Sequence, residues 1–411
     1  MSLQYEVGWR VWFWHCLSVG CLLLWIVALG ISLASNSEAA EWSILPSIGV
    51  KGVYNDNLLL TPLPHDATYG YWTSPAAEFA GKTERLEVSG KVATDFVSYY
   101  GGEETNFTNI FLPLSIRYKT EKDLLGFTGG FTRDNTLMSE LLTTGVVVRF
   151  TQRNQWNASP TWAHSLTEKL SLQSSFQFTD TTYENGFRLG LVNYQLLGGF
   201  GGLLYQLTEQ DQVQLTGIYT SFHTTNAPSG FRATFPGAMM TVTHAFTESL
   251  TGTAFGGPRI ISTTTQATSG DIKTQEMVWV YGASLAKQFE SGSIQVSAAR
   301  DIIPSGFGLL IQTDRVTISG SYKVSETLTG SLDANGYIVS GATRIASGGT
   351  LAEQRYLGLS PKLAWKLLEW WKLEASYTYG RRDVDGFAAP ATSNAAMLML
   401  TYYPPKLALS N

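Results

Sequence analysis

The sequence predicts an all-β fold: a transmembrane, antiparallel, up-and-down β-barrel of about eighteen strands, with sixteen as the alternative. Three observations predict it. An acidic mark recurs about every forty residues, at Thr83-Glu84, Thr120-Glu121, Thr167-Glu168, Thr208-Glu209, Thr247-Glu248, Phe289-Glu290, Ser325-Glu326 and Leu368-Glu369, and a fixed period of this length marks a repeated structural unit. The segments between marks alternate apolar and polar side chains, the signature of half-solvated strands. The composition is poor in charge (15%) but rich in aromatics (12%) and in glycine (40 residues), which suits strands with two differently solvated faces.

The chain opens with an element of another kind. An apolar run from Cys16 to Leu33 follows Arg10 and ends in Ala34-Ser35-Asn36-Ser37-Glu38-Ala39-Ala40. A basic start, an apolar centre and small residues at the end describe a secretory signal peptide over residues 1–40, cut after Ala39 or Ala40; a membrane anchor is the competing reading. Both cysteines, Cys16 and Cys21, lie in this segment. The remainder would therefore carry no disulfide, thiol nucleophile or cysteine metal site.

Residues 41–403 read as the barrel, with 404–411 as a short tail. Alternation is strict in Leu86-Glu87-Val88-Ser89, in Leu112-Pro113-Leu114-Ser115-Ile116-Arg117, in Leu170-Ser171-Leu172-Gln173 and in Val316-Thr317-Ile318-Ser319. Each acidic mark reads as a short hairpin turn. Longer breaks rich in Gly, Pro, Asn and Thr lie between the marks, at Tyr183-Glu184-Asn185-Gly186, Asn226-Ala227-Pro228-Ser229-Gly230, Ala267-Thr268-Ser269-Gly270-Asp271 and Asp385-Gly386-Phe387-Ala388-Ala389-Pro390. Short turns at one end and long loops at the other are the asymmetry of a bacterial outer-membrane barrel. Eight turns join nine strand pairs, so both ends of the barrel fall on the short-turn, periplasmic side.

Four residues before the glutamates stand His164, Tyr205, His244, Tyr322 and Trp365, with Leu166, Leu207, Phe246, Val324 and Leu367 two residues before them. Both sets share a face, and rings at that depth predict a periplasmic girdle facing lipid. On the opposite parity lie the candidate lumen charges Glu87, Lys91, Asp95, Arg117, Lys119, Arg149, Arg153, Arg315, Lys323, Lys362 and Lys366. Basic residues prevail in this set. A cationic lumen would favour small anionic solutes, unless the charges merely solvate the wall or pair across strands.

Little else carries chemistry. His164-Ser165 is the one pair that invites a hydrolase reading, but a triad needs a third, orienting group, and the girdle explains His164 and His244 together. No His/Asp/Glu spacing resembles a metal site, and Asn55-Asp56-Asn57 lacks the Gly and distal Glu of a calcium loop. No cofactor is expected. The balance of 33 acidic against 28 basic residues holds no basic run for nucleic acid.

Trp42-Ser43-Ile44-Leu45-Pro46-Ser47-Ile48-Gly49-Val50 leads into Tyr54-Asn55-Asp56-Asn57-Leu58-Leu59-Leu60-Thr61 and then Trp72-Thr73-Ser74-Pro75. A first strand ending in Tyr-x-Asp-Asn, followed by a strand opening near Ser-Pro, resembles the β-barrel porin family associated with exopolysaccharide and exosortase (PEP-CTERM) systems. The resemblance implies an outer-membrane barrel linked to polysaccharide production or export, with lipid, polysaccharide or export-complex proteins as partners and no catalytic residues. One departure is the end of the chain: outer-membrane barrels of this kind end on an aromatic residue, whereas here Pro404-Pro405-Lys406-Leu407-Ala408-Leu409-Ser410-Asn411 follows Tyr402-Tyr403. Three functions stand open: a pore for small solutes or a saccharide chain, a closed structural or partner-binding barrel, and an outer-membrane lipid- or saccharide-modifying enzyme resting on His164.

Overall fold

The computed structural model describes residues 41–410 apart from 103, 138, 140–149, 226–229, 268–269, 342–351 and 387–388. The expected leader and Arg149 lie outside the described residues. Among those described, no helix is long and apolar enough to cross a membrane.

A strand with one apolar face is stable only when its backbone groups are paired on both sides, and here the sheet achieves this by closing. Eighteen antiparallel strands form the barrel. They are β1 (Glu41–Asn55), β2 (Thr68–Lys82), β3 (Leu86–Gly101), β4 (Thr105–Lys119), β5 (Asp123–Asn135) and β6 (Gln152–Ser165). Then come β7 (Leu170–Tyr183), β8 (Tyr194–Gln206), β9 (Asp211–Thr224), β10 (Phe231–Thr234 and Gly237–Thr247), β11 (Leu250–Ala267) and β12 (Gly270–Phe289). The last are β13 (Gly292–Pro304), β14 (Leu310–Lys323), β15 (Leu328–Gly341), β16 (Gln354–Leu368), β17 (Trp371–Val384) and β18 (Ala391–Tyr402). β10 is one spanning strand: Pro236 interrupts its ladder, but Ala233↔Phe222 and Gly237↔Ile218 keep one register. β18 pairs with β1 from Ile48↔Tyr402 to Asn55↔Ala395, which closes the cylinder.

The tail continues that seam. Pro404 and Pro405 have no N–H to give the ladder, and pairing resumes in β19 (Leu407–Ser410), from Ile44↔Leu407 to Glu41↔Ser410.

Five of the short turns owe their shape to the residue before the glutamate. The Leu86 N–H donates to Thr83 Oγ1 at 3.0 Å, Asp123 to Thr120 at 2.9 Å, Leu170 to Thr167 at 3.0 Å, Asp211 to Thr208 at 2.9 Å and Leu328 to Ser325 Oγ at 3.0 Å. A hydroxyl that bonds the backbone three residues on mimics a turn of main chain. The glutamates Glu84, Glu121, Glu168, Glu209 and Glu326 are exposed. At Thr247↔Leu250, Phe289↔Gly292 and Leu368↔Trp371 the strands meet across two-residue turns instead.

The opposite end is less uniform than the sequence implies. Ala267↔Gly270 close directly on each other, so the break at Ala267–Asp271 is a tight turn and the length resides in β11 and β12. The connections 102–104 and 305–309 are short as well. Gly, Ser, Thr and Asp mark a turn without setting its length, which is why these breaks read as long loops.

Among the described residues, Ser139 and Phe150 beside β5 and β6 reach the interior, and two further connections fold into the cylinder along most of their length. After β1, the Asp56 carboxylate accepts hydrogen bonds from Asn394 N and Nδ2, both at 2.7 Å. Asn57 accepts from Thr61 N and donates from Nδ2 to Thr61 O and Thr392 O. The Asn55-Asp56-Asn57 segment is thus a clamp across the β1–β18 seam that points Leu58 and Leu60 inward. The second is the β13–β14 hairpin. β13 leaves β12 after Tyr281↔Arg300 but stays with β14 up to Pro304↔Leu310. Its tip reaches the β7–β8 connection, where Val192 N–H donates to Gly306 O at 2.8 Å. Only glycine fits this approach: a Cβ on Gly306 would lie 2.7 Å from the Tyr183 hydroxyl, and Gly308 has φ +75°.

Candidate functional site

The inner face is identified by contacts between strands that are not neighbours. Tyr183 of β7, Phe222 of β9, Val280 of β12 and Leu310 of β14 share one buried cluster, which only side chains projecting into the enclosed space can form. Directly paired residues share a face, so the ladder registers carry this assignment round the barrel. The other parity carries Val50, Leu215, Leu285, Leu332 and Leu363, all exposed. The outer wall is therefore apolar.

Three clusters occupy the loop-side half of the interior. The β13–β14 hairpin packs Ile302 and Leu310 against Tyr183, Leu191, Tyr194, Phe222, Phe231 and Ile261. Leu60 joins Ile311, Tyr337, Val339, Tyr356 and Ala391. Leu58 packs against Trp72, Val97, Tyr99 and Phe107. A cavity of about 1340 Å³ remains, lined among others by Ser43, Glu78, Lys91, Arg153, Gln155, Asn157, Gln177, Arg315 and Lys406.

The wall of this space is charged. Glu87 and Lys91 lie on the inner face, paired with Lys82 at 3.1 Å and Glu78 at 2.9 Å. Asp95 faces Asn109, and Arg117 faces Glu87. Arg153 grips Asp134 through Nε and Nη2 at 2.9 and 2.8 Å. Lys362 and Lys372 converge on Glu374 at 2.5 and 3.3 Å. Lys366 lies opposite Lys372 and Lys323 opposite Thr329, towards the short-turn rim with Lys119. Arg315 is the first member of a row of direct cross-strand partners, Arg315↔Tyr337↔Tyr356↔Arg382. The two rings stack at 4.7 Å and 18°, and the Arg315 guanidinium lies 4.7 Å over Tyr337.

Tyr205, Tyr322 and Trp365 stand on the outer face near the turns, each about half-exposed. His164 and His244 share that face, and each pairs with the first residue of a neighbouring strand: His164 Nδ1 with Asp123 Oδ1 at 2.7 Å and His244 Nδ1 with Asp211 Oδ1 at 2.8 Å. Asp123 also accepts from Trp162 Nε1 at 3.0 Å. Ser165, next to His164 in sequence, has the opposite parity and faces inward. The His–Asp pair thus recurs at two equivalent rim positions, and at neither do the hydrogen bonds bring a serine to the histidine.

Sequence reasoning did not single out Tyr337, Tyr356 and Arg382, nor the clamp on Asn394. Arg382 shares the inner parity of Ser376 and Thr378, so alternation alone would have placed it. An outer ring at the loop side was missed too: Tyr54, Tyr69, Tyr100, Trp156, Tyr219 and Tyr281 project outward near the upper strand ends and are exposed.

No family model matches the chain, and no curated protein matches it. Solved structures similar to it include Pseudomonas aeruginosa OccK5 (OpdH), at 11% identity over 89% of this chain and 98% of that one, with a TM-score of 0.43. Another is P. aeruginosa OccK9 (OpdG), at 10% identity over 90% and 98%, TM-score 0.44. A third is Acinetobacter baumannii OccAB2, at 10% identity over 88% and 98%, TM-score 0.43.

Proposed function

We propose that the protein is an outer-membrane pore for small solutes, narrowed on its loop side by infolded segments. The observation that carries this reading is the cavity of about 1340 Å³, with Glu78, Lys91, Arg153, Arg315 and Lys406 in its lining, inside a closed cylinder whose outer wall is apolar. Outward rings bound that wall at both ends. From Trp279 to Phe289 on β12 the path is about 33 Å at roughly 3.3 Å per residue. At a tilt of about 40° this spans about 25 Å, the height of the apolar band of such barrels. Barrels of 16–18 strands enclose an aqueous channel when side chains and loops leave it open. Small solutes fit this interior better than a saccharide polymer, because a chain would have to displace all three apolar clusters at once.

Those same clusters favour a second reading: a closed barrel serving as a structural part of an exopolysaccharide export assembly, the setting that the Tyr54–Asn57 resemblance implies. Single-channel recording of the purified protein in planar bilayers separates the two. The pore reading expects small, discrete conductance steps. A folded barrel that stays silent, and remains silent after deletion of residues 305–309, would leave only the structural role.

A further inference from the structure

We propose that the Arg315–Tyr337–Tyr356–Arg382 row is a binding site for the oxyanion group of a small solute, a carboxylate or a phosphate, with Arg382 as its principal ligand. The proposal rests on the pore reading, since it assigns the class of solute that the lumen takes.

Arg382 differs from Arg153 and Arg300. Arg153 is bonded through two nitrogens to Asp134, and Arg300 through two to Asp314. Arg382 Nε and Nη1 are buried and have no hydrogen-bond partner. Its direct cross-strand neighbours are Tyr356 and Ala391, neither of them acidic. Withdrawing the nitrogens of a cation from water without a counter-charge is costly, and a planar guanidinium fork is matched best by a carboxylate or phosphate. Among the described residues, half of the unmet buried side-chain atoms lie on this wall. Thr313 Oγ1 and Gln354 Oε1, in the adjacent row towards the loops, are also buried without a partner. Arg315 adds a second positive charge at the far end of the row.

The site has a route and a cover. Arg315 lines the large cavity, so the row meets the lumen at that end. Leu60 packs in the cluster that contains Tyr337, Tyr356 and Ala391, and its methyl groups lie about 3.8 Å from where a Cβ on Gly380 would stand, one inward position from Arg382. Leu60 sits at φ 48°, a conformation that a branched side chain rarely adopts. A solute passing the loop-side mouth therefore reaches Arg382 when this one strained residue moves.

The test is isothermal titration of the purified, folded barrel in detergent micelles, with inorganic phosphate and with glutarate in separate arms. The wild-type protein is expected to bind at least one probe saturably, and the arm that binds names the oxyanion. Arg382→Gln should weaken that binding about tenfold or more, the loss expected for a charge-assisted hydrogen bond. Arg382→Lys keeps the charge without the fork and should lose several-fold; it also reads the site should the Gln variant fail to fold. Arg381→Gln makes the same charge change one residue away on the outer wall, where Arg381 bonds Asp383 at 3.2 Å, and should leave binding unchanged. No saturable binding of either probe, or equal loss in Arg381→Gln and Arg382→Gln, overturns the site. Conductance of the same preparations keeps the two readings apart: a conducting barrel without anion binding removes the site alone, and a silent barrel that binds through Arg382 removes the pore alone.

Discussion

Replacing Leu60 by alanine should open the barrel. Leu60 is 2% exposed in its cluster, and burying a leucine side chain contributes about 1.5–3 kcal/mol. Holding a non-glycine residue in the left-handed region costs about 1–2 kcal/mol, and Leu60 has φ 48°. The two nearly cancel, so docking of this segment depends on a narrow margin supplied by the Asn57 hydrogen bonds to Thr61 and Thr392. Leu60→Ala keeps the backbone cost and loses most of the burial, about 2 kcal/mol at the low end of core truncations. That corresponds to roughly a thirtyfold shift towards the undocked segment. Leu63, in the same connection, is 61% exposed, and Leu63→Ala is the matched control. Single-channel recording should show the open fraction of Leu60→Ala at least tenfold above wild type, with Leu63→Ala unchanged. Equal open fractions in all three would refute the argument that Leu60 holds the mouth closed.

Two further predictions concern what holds the cylinder together. Thr208→Val removes the hydroxyl that accepts from Asp211 N and should lower the unfolding free energy in guanidinium by about 1 kcal/mol, whereas Glu209→Gln, at an exposed side chain, should stay within about 0.5 kcal/mol of wild type. Asp56→Ala removes the acceptor for Asn394 N and Nδ2. It should weaken the β1–β18 seam by about 2 kcal/mol, seen as faster hydrogen exchange at Tyr54 and Ala396 than at Tyr281 and Arg300 on the β12–β13 pair.

The strand count, the antiparallel order and the side on which the chain ends were legible in the sequence because each depends on local signals. Period-two alternation places side chains, and a hydroxyl three residues before a strand closes its turn. The glutamate is the more visible half of each mark, but at five turns the Thr or Ser before it makes the turn bond; the two-residue turns form with Thr247 in that place as well as with Phe289 and Leu368. What was not legible depends on partners remote in the chain. Asp56 meets Asn394 some 338 residues away. Phe222, Tyr337 and Ala233 place apolar or ring surface on the polar parity, because infolded segments cover them, and no local pattern announces that cover. Alternation could place Arg382 on the inner face, but that its cross-strand neighbours are Tyr356 and Ala391 and not an acid depends on the folded register.

Cysteine scanning of one pair of adjacent residues tests the central claim most directly. Both cysteines of the sequence lie at positions 16 and 21, so the barrel itself supplies a cysteine-free background. Ser331 faces inward opposite Ser321 and Lys362, whereas Leu332 faces outward and is 42% exposed on the apolar wall. In lipid vesicles, Ser331→Cys should react rapidly with a charged, water-soluble thiosulfonate, and Leu332→Cys should be protected from it while reacting with a membrane-soluble maleimide. The reverse pattern, or equal labelling of both positions by the charged reagent, would contradict a water-filled lumen inside a lipid-facing wall.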